Sequence, residues 1–524
     1  MFDLEKLGYK IEIPPSEIEA DLAIPAFKLD KERIAAEIKA SQNPFIAEAK
    51  IVGNYINIKL NPLALIPDFV KPAAEKDDYG KNNDGQKKTV LIEYSSPNIA
   101  KPLHIGHLRN TLLGRSLKNI YEANGYKVVT ENWIGDWGKQ YGLIALAYQQ
   151  WGSEAEFKKQ PTKHLFDLYV RISQEAEANP DLHDEARKTF KKIEDGDKDL
   201  LKLWKKFRDA SIKDFKSTYK RLGIDFDIWN GESFYTKFMP AIQKAAIDKG
   251  IAKKETDGPL VVDLSQYGLR SFLLAKSDGA SLYSTRDLAT TKWRLETYDP
   301  EKIIYVIAHE QELHIRQVFK TMELFGHPKE KFVHVNYGIV TMAGSKMSTR
   351  AGNVVFLDDI IDEAIKKAGN ETIGLGALTY NILAQGNERD MHFSWEKALN
   401  LEGNSAPYIM YGYVRCLSIL SKAPNYKFQT PNKFQIKNDL EKKLIKRVAF
   451  YPEFVRQACQ LNEPHVIASY LNNLVQEFNR FYANCPVLEA GEEVKRSRLL
   501  LIKAVANIIK SGLWLLGIQT VKKM

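Results

Sequence analysis

The chain has 524 residues, 44% of them hydrophobic and 27% charged, which is typical of a globular protein with two to four domains. Its net charge of +9 favours an anionic partner but is spread too widely to identify one. No stretch is apolar enough for a membrane span or a signal peptide. The three cysteines, Cys416, Cys459 and Cys485, are widely spaced and predict neither disulfides nor a zinc site. We therefore expect a cytoplasmic protein without membrane contact.

The first 85 residues are predicted to form a small α+β unit. A helical pattern over 31–41 is followed by a run of alternating apolar residues over 51–58. A polar segment over 76–88, rich in Gly, Asn, Asp and Lys, then suits an exposed linker. We therefore predict an N-terminal domain over residues 1–85.

A strand–helix–strand unit follows the linker. Its buried strand leads through a Ser-Ser-Pro-Asn loop into a helix and then a second strand, as in a βαβ crossover of a parallel sheet. Two strong strands occur further along the chain. The predicted elements are strands over 89–94, 127–130, 302–307 and 332–337, and a helix over 103–123.

Charged, mostly helical sequence over 150–222 interrupts this pattern, so we predict a helical insertion within an α/β catalytic domain over 86–400. Beyond residue 400 only helical periodicity is found, which predicts an all-helical domain over 401–524. We find no internal repeat.

Two segments concentrate positive charge. Residues 201–221 and residues 422–447 each hold eight Lys or Arg against two acids. Basic helices interleaved with aromatic residues can bind a phosphate backbone, or they can be the solvated faces of amphipathic helices. Helical spacing predicts a core face for the first segment, formed by Trp204, Phe207, Ser211, Phe215, Tyr219 and Leu222.

The tetrapeptide His104-Ile105-Gly106-His107 lies just past a hydrophobic strand, at the start of a helix. Ligands of parallel sheets bind beyond the carboxyl ends of the strands, and a helix N-terminus attracts phosphate. Histidines at i and i+3 share a helical face, and the glycine lets a flat base approach. A metal-binding pair is the alternative, but no further ligand is spaced to complete a zinc site. We therefore predict nucleotide binding by His104, Gly106 and His107, and no metal ligands.

A second motif, Gly344-Ser345-Lys346-Met347-Ser348-Thr349-Arg350, follows about 240 residues later. A basic loop of this kind can close on the β- and γ-phosphates as pyrophosphate leaves, since nucleotidyl transfer depends on positioning and charge stabilisation. A solvated surface loop is the ordinary interpretation of this segment taken alone. Together with the first motif, it predicts ATP contacts for Lys346, Met347 and Ser348.

A HIGH tetrapeptide followed by a KMSKS-like loop resembles the signature of class I aminoacyl-tRNA synthetases, and nearly the whole chain resembles the arginine family within that class. The ends of the chain are similar to that family's N-terminal additional domain, which contacts the tRNA corner, and to its helical anticodon-binding domain. The matching stretches are EYSSPNIAKPLHIGHLRNTLLG (93–114), IGDWGKQYG (134–142), SDGASLYSTRDLAT (277–290), IIYVIAHEQELH (303–314), KMSTRAGNVV (346–355), EGNSAPYIMYGYVR (402–415), FNRFYANCPV (478–487) and GLWLLGI (512–518).

The resemblance implies a fold and a reaction. The fold would be α/β: a class I Rossmann-type catalytic domain between an N-terminal α+β domain and a C-terminal all-helical domain. With ATP and Mg²⁺, L-arginine would form arginyl-adenylate, and the arginyl group would pass to the 3′-terminal adenosine of tRNA(Arg). Activation would depend on bound tRNA. We expect a monomer with these substrates as its partners.

The resemblance also assigns the arginine site to Glu93, Asn98, Tyr283, Asp287 and Gln311. A guanidinium presents five donors in a rigid fork and so requires carboxylate or amide acceptors in fixed places. Asp287 is the natural bidentate partner, with Glu93 on the α-amino group. The alternative for Asp287 is a surface ion pair with its neighbour Arg286.

One position departs from the family pattern. KMSKS-like loops usually carry a second lysine where this chain has Thr349. In arginine enzymes that lack it, a lysine just before HIGH is thought to substitute, and Lys101 stands there. The resemblance thus implies catalytic roles for His104, His107, Lys101 and Lys346, while an exposed loop cation is the alternative for Lys101.

Three rival functions are separable by sequence. Small adenylyltransferases with an HxGH motif are much shorter and lack a long helical domain. A class I synthetase for another amino acid would not need the arginine-type residues Glu93, Asn98, Tyr283 and Asp287. A synthetase-like RNA-binding protein without activity would not need intact HIGH and KMSTR segments.

Overall fold

A computed structural model describes residues 4, 8–15, 18–254, 256, 258–277, 282–342, 354–423 and 434–524. The strands are β1 (Leu22–Pro25), β2 (Ile46–Val52), β3 (Tyr55–Leu60), β4 (Thr89–Glu93), β5 (Lys127–Glu131), β6 (Ala252–Lys254), β7 (Leu260–Val262), β8 (Phe272–Ala275), β9 (Lys302–Ala308), β10 (Phe332–Tyr337), β11 (Val340–Met342) and β12 (Met391–Phe393). The helices are α1 (Lys31–Ala40), α2 (Lys71–Glu75), α3 (Ile105–Ala123), α4 (Lys139–Trp151), α5 (Glu154–Lys159), α6 (Pro161–Ala178), α7 (Asp181–Glu194), α8 (Lys198–Leu222), α9 (Glu232–Tyr235), α10 (Met239–Asp248), α11 (Tyr283–Tyr298), α12 (Glu312–Leu324), α13 (Leu357–Ala368), α14 (Glu371–Leu383), α15 (Trp395–Ala398), α16 (Ala406–Ser421), α17 (Asp439–Leu461), α18 (His465–Asn484) and α19 (Glu492–Leu515).

The N-terminal unit is a small antiparallel sheet, ordered β1-β3-β2, covered by α1. The alternating run of the sequence is a hairpin rather than one strand, because Gly53 adopts φ 60° between β2 and β3. Asp30 caps α1 by accepting a hydrogen bond from the backbone N–H of Arg33. The buried faces of α1 and β3 supply the core of this unit.

The segment that joins this unit to the next is exposed over most of its length but is anchored to the C-terminal helices. The Tyr79 hydroxyl donates to the carbonyl of Val448 at 3.1 Å. The amide of Asn507 in α19 donates to the carbonyls of Ala73 and Ala74 at the end of α2. These buried bonds fix the linker against the helical domain.

The central sheet is parallel and ordered β10-β9-β4-β5, as the hydrophobic runs predicted. The crossover from β4 through α3 places β5 on one side of β4, and the later strand β9 pairs on the other side. The strand order therefore reverses between β4 and β9. In open α/β sheets, ligands bind beyond the carboxyl ends of the strands at such a switch point.

Helices α5–α8 lie within residues 150–222, for which the sequence predicted a helical insertion. The core face predicted for α8 is confirmed: Phe207, Ser211, Phe215 and Tyr219 are buried, and Trp204 is half-buried. The basic side chains of this helix lie on the remaining faces, so the solvated-face interpretation describes most of its positive charge. A second small antiparallel sheet, β6-β7-β8, lies between α10 and α11.

The C-terminal region is a bundle of α16–α19, as predicted. Its last helix ends against α3, where Ser116 Oγ donates to the carbonyl of Leu515 at 2.9 Å and Asn119 Nδ2 donates to that of Trp514 at 2.8 Å. Within the described residues, no helix is both long enough and apolar enough to cross a bilayer.

Candidate active site

The loop after β4 is held in an unusual backbone conformation. Ser95, Ser96 and Ala100 have φ of 73°, 48° and 62°, which residues other than glycine rarely adopt. Tight hydrogen bonds hold this loop, among them Ser95 N–H to Asn110 Oδ1 at 2.7 Å and Ala100 N–H to Ser211 Oγ at 2.9 Å. Strained backbone of this kind persists only where many surrounding contacts hold it in place, and it is common at functional sites.

The two histidines cap the helix that follows this loop. His104 Nδ1 accepts a hydrogen bond from the backbone N–H of Gly106, and His107 Nδ1 accepts one from that of His104. The ring centroids are 4.0 Å apart, so both rings lie together at the N-terminus of α3. A Cβ on Gly106 would lie 2.8 Å from His104 Cε1, so any larger residue there would require the His104 ring to shift.

Both imidazoles are neutral near pH 7. Burial, with a smaller contribution from the charge of Lys101, lowers the pKa of His104 to about 4. Burial also lowers the pKa of His107 well below its ordinary value. Because each Nδ1 accepts a hydrogen bond, the ring proton lies on Nε2. The pair therefore offers two neutral N–H donors, suited to an anionic ligand at a helix N-terminus.

Glu93, at the end of β4, belongs to a buried charge network. Arg294 of α11 is fully buried and pairs with Glu93 through Nη1 and with Glu131 through Nε, each at 2.7 Å. The Tyr235 hydroxyl donates to the other oxygen of Glu131. Burial raises the pKa of Glu93, against the opposing effect of Arg294. Arg294 therefore fixes Glu93 at the carboxyl end of β4, where the strand order reverses.

Asp287 faces away from its sequence neighbour. Its Oδ2 lies 2.5 Å from Nε2 of His314 in α12, and the His314 ring packs on Tyr283 with centroids 4.8 Å apart. Arg286 instead pairs with Glu232, at 3.2 Å. The surface pair between Arg286 and Asp287 considered above is therefore wrong. Tyr283 opens α11 and is 61% exposed.

Glu232 was missed by sequence reasoning. Burial raises its pKa to about 7, and the negative charges of Asp287 and Asp136 add to this effect while Arg286 opposes it. The charge of Asp287 also contributes to the raised pKa of Glu93. Asp287 thus lies close enough to affect the pKa of both Glu93 and Glu232. Carboxyl groups from β4, α9 and α11 therefore converge around Asp287, and such a group is suited to binding a cation.

The remaining predicted residues differ in how they are held. Asn98 Oδ1 accepts a hydrogen bond from Gln140 Nε2 at 3.2 Å, and it lies so close to Gly135 that a Cβ there would be 2.2 Å away. Gln311 is exposed in a single 3₁₀ turn after β9. Lys101 Nζ lies 4.1 Å from the ring centroid of Tyr169. Lys346, Met347 and Ser348 lie outside the described residues.

A separate cleft of about 500 Å³ lies between α16 and the end of α18. Arg415 stands between two exposed aromatic rings, with its Cζ 4.6 Å from the centroid of Tyr411 and 5.1 Å from that of Tyr482. The rings are 45% and 44% exposed. Exposed rings beside a guanidinium are a surface on which unpaired bases can stack.

Comparison with known families agrees with this architecture. The model described as class I tRNA synthetases (R), catalytic domain, matches residues 70–387. The DALR anticodon binding domain matches residues 409–524. The sheet, the HIGH helix and the following helical bundle are thus those of a class I tRNA synthetase.

Relatives that match over nearly their full length show which family within this class the chain belongs to. The chain is 39% identical to the arginine–tRNA ligase of Clostridium perfringens and to that of Clostridium acetobutylicum, over 100% of the chain and 97% of each relative. It also superposes on Thermus thermophilus arginyl-tRNA synthetase with a TM-score of 0.85 and 25% identity, covering 99% of the chain and 98% of that structure. The chain belongs to the arginine family of class I tRNA synthetases.

Proposed function

We propose that this chain joins L-arginine to tRNA(Arg) at the expense of ATP. The observation that carries the proposal is the cluster of Glu93, Glu232 and Asp287, which lies at the switch point that also receives the N-terminus of the HIGH helix. A cationic amino acid can thus be held beside a nucleotide. Asp287 and Glu232 would receive the guanidinium and Glu93 the α-amino group, with Asn98, Tyr283 and Gln311 completing the site.

In the first step, a carboxylate oxygen of arginine attacks the α-phosphorus of ATP, and the bond to the pyrophosphate oxygen breaks. Charge accumulates on the phosphoryl oxygens, so positioned donors lower the barrier. The Nε2–H groups of His104 and His107 supply neutral donors, and Gly106 leaves room for the base. Lys101 and Lys346 supply positive charge for the phosphates, while Met347 and Ser348 contact ATP.

Mg²⁺ enters with the substrate in this proposal. Within the described residues, no group of three or more His, Cys, Asp or Glu side chains could hold a metal ion. A metal cage built by the protein is therefore a poor fit for this site. Mg²⁺ commonly binds through substrate phosphates and keeps several waters, so it would arrive as MgATP.

In the second step, the 2′-hydroxyl of the terminal adenosine attacks the carbonyl carbon of arginyl-adenylate, and AMP leaves. Residues 1–85 would contact the tRNA corner, residues 86–400 would carry the chemistry, and residues 401–524 would bind the anticodon through the cleft of Tyr411, Arg415 and Tyr482. We further infer a monomer, since one chain supplies every proposed group. We also infer that it acts in the cytoplasm, because free Cys416, Cys459 and Cys485 suit a reducing compartment.

Arginine-dependent exchange of pyrophosphate into ATP tests the proposal, measured for each amino acid with and without tRNA(Arg). We expect exchange with arginine alone among the amino acids, and only when tRNA is bound, because the acceptor end would complete the site that includes Tyr283 and Lys346. Robust exchange without tRNA would contradict the tRNA requirement. Exchange with a different amino acid, or with none, would contradict the function.

A further inference from the structure

The backbone on both sides of Lys101 is fixed. Ala100 is buried in a left-handed conformation, and its N–H donates to Ser211 Oγ of α8 at 2.9 Å. On the other side, the carbonyl of Leu103 accepts a hydrogen bond from the N–H of Leu357 at 2.9 Å. The Cα of Lys101 therefore has little freedom, and the position of its ammonium group depends on what the long side chain touches.

That side chain lies against the helical insertion. Its Nζ is 4.1 Å from the ring centroid of Tyr169, which is buried in α6. One turn earlier, Phe166 packs edge-on against Phe356 with ring centroids 5.8 Å apart. Phe356 in turn forms a β-bridge with His104. Residues at i and i+3 share a helical face, so α6 presents one aromatic face to the HIGH end of α3.

We propose that Tyr169 is a positioning residue for adenylate formation: its ring holds the ammonium group of Lys101 beside the HIGH motif, so that the insertion takes part in ATP activation. This inference rests on the proposed function and extends it to a residue outside the HIGH and KMSTR motifs. The partner of the positioned charge is the polyphosphate of ATP.

Two physical arguments support the assignment. A cation within about 6 Å of a ring face is attracted by the ring quadrupole, most strongly where water is excluded. A lysine side chain otherwise samples many rotamers, and ordering it beforehand lowers the entropy lost when it meets a phosphate. The Lys101 charge already acts on the HIGH pair, since it contributes to the lowered pKa of both His104 and His107.

The test compares two substitutions at one position. Tyr169→Phe keeps the ring face and should leave kcat for arginine-dependent, tRNA-supported pyrophosphate exchange near the wild-type value. Tyr169→Leu removes the ring and should lower kcat by about 2- to 30-fold, with little change in KM for arginine. In a Lys101→Ala background the same Tyr169→Leu change should have almost no further effect, since the two residues act as one unit.

A matched control comes from the same helix. Arg171 of α6 stacks over Trp151 at the end of α4, with its Cζ 3.9 Å from the ring centroid. Trp151→Leu therefore removes a comparable cation–ring contact of α6 that does not involve Lys101. The Trp151→Leu variant should have an unchanged kcat. Thermal unfolding of each variant shows whether the substitution has also weakened packing.

Each outcome has a definite meaning. If Tyr169→Leu lowers the exchange rate equally in the wild-type and Lys101→Ala proteins, Tyr169 has only a packing role and the proposal is overturned. An unchanged rate for Tyr169→Leu in the wild-type protein would overturn it too. A neutral Lys101→Ala would also overturn it while leaving the ligase function intact. Failure of the wild-type protein to activate arginine would instead overturn the proposed function.

Discussion

Asp287 Oδ2 and His314 Nε2 lie 2.5 Å apart, which fixes the carboxylate of α11 against the ring of α12. The same His314 ring packs on Tyr283, so all three side chains are held together before any substrate arrives. A carboxylate whose rotamer is already set loses little entropy when it receives a guanidinium. Two of the predicted arginine contacts are thus joined through His314, the last residue of the matching stretch 303–314, to which the sequence analysis gave no role.

Substitution of Asp287 should act on arginine and spare ATP. Asp287→Asn keeps the size of the side chain but removes its charge, and loss of one partner of a buried charge pair costs about 2–5 kcal/mol. We expect KM for arginine to rise by about 30-fold or more and KM for ATP to change little. Rejection of citrulline, a neutral near-isostere, should weaken. Glu296→Gln, on the exposed face of the same helix, is the control, and equal effects of the two changes would contradict this assignment.

Glu232 should make arginine binding depend on pH. Its carboxyl, with a pKa raised by burial to about 7, must be ionised to receive a guanidinium. KM for arginine should therefore fall as pH rises from about 6 to about 8, and Glu232→Gln should give a higher KM that is flat over this range. The folding stability of the free protein depends on pH in the opposite direction: the contribution of Glu232 is present at low pH and is lost as pH rises through about 7. A wild-type KM independent of pH would exclude Glu232 from the site.

His104 should make the fold sensitive to acid. Its pKa, lowered from 6.5 to about 4 by burial, means that the unfolded chain takes up a proton before the folded one does. The stabilising effect is complete above about pH 6.5 and is lost as pH falls towards about 4. His104→Asn keeps a helix-capping side chain but does not titrate. Chemical unfolding measures how much stability each protein loses between pH 7 and pH 5. We expect His104→Asn to lose less than the wild type, and equal losses in the two proteins would argue against a neutral buried histidine.

The aromatic cleft of the C-terminal bundle should contribute to tRNA affinity. Stacking of an unpaired base on an aromatic ring contributes about 1–3 kcal/mol, as judged by alanine substitution. Tyr482→Ala should therefore raise KM for tRNA by about 5- to 150-fold and leave KM for arginine unchanged. Leu461→Ala, at an exposed apolar residue on α17 of the same bundle, is the control. An unchanged KM for tRNA in Tyr482→Ala would remove this cleft from the binding surface.

The fold could be predicted where the sequence pattern is strong and local. The runs that became β4 and β9 are largely continuous and apolar, and the HIGH helix begins within two residues of its predicted start. Glu232 and His314 could not be predicted, because only tertiary contacts bring them to Asp287. The alternative for Asp287, an ion pair with Arg286, is not formed because adjacent residues of a helix do not face each other.

The bonds from Ser116 and Asn119 to the end of α19 also have a consequence for biosynthesis. Ser116 and its acceptor, Leu515, are 399 residues apart in the chain. At about 5–20 residues per second, a ribosome needs roughly 20–80 s to synthesise that interval. Until then, Ser116 and Asn119 lack the carbonyl acceptors that they have in the folded protein. The nascent chain thus completes the native contacts of the HIGH helix only after the last helix of the C-terminal bundle has emerged.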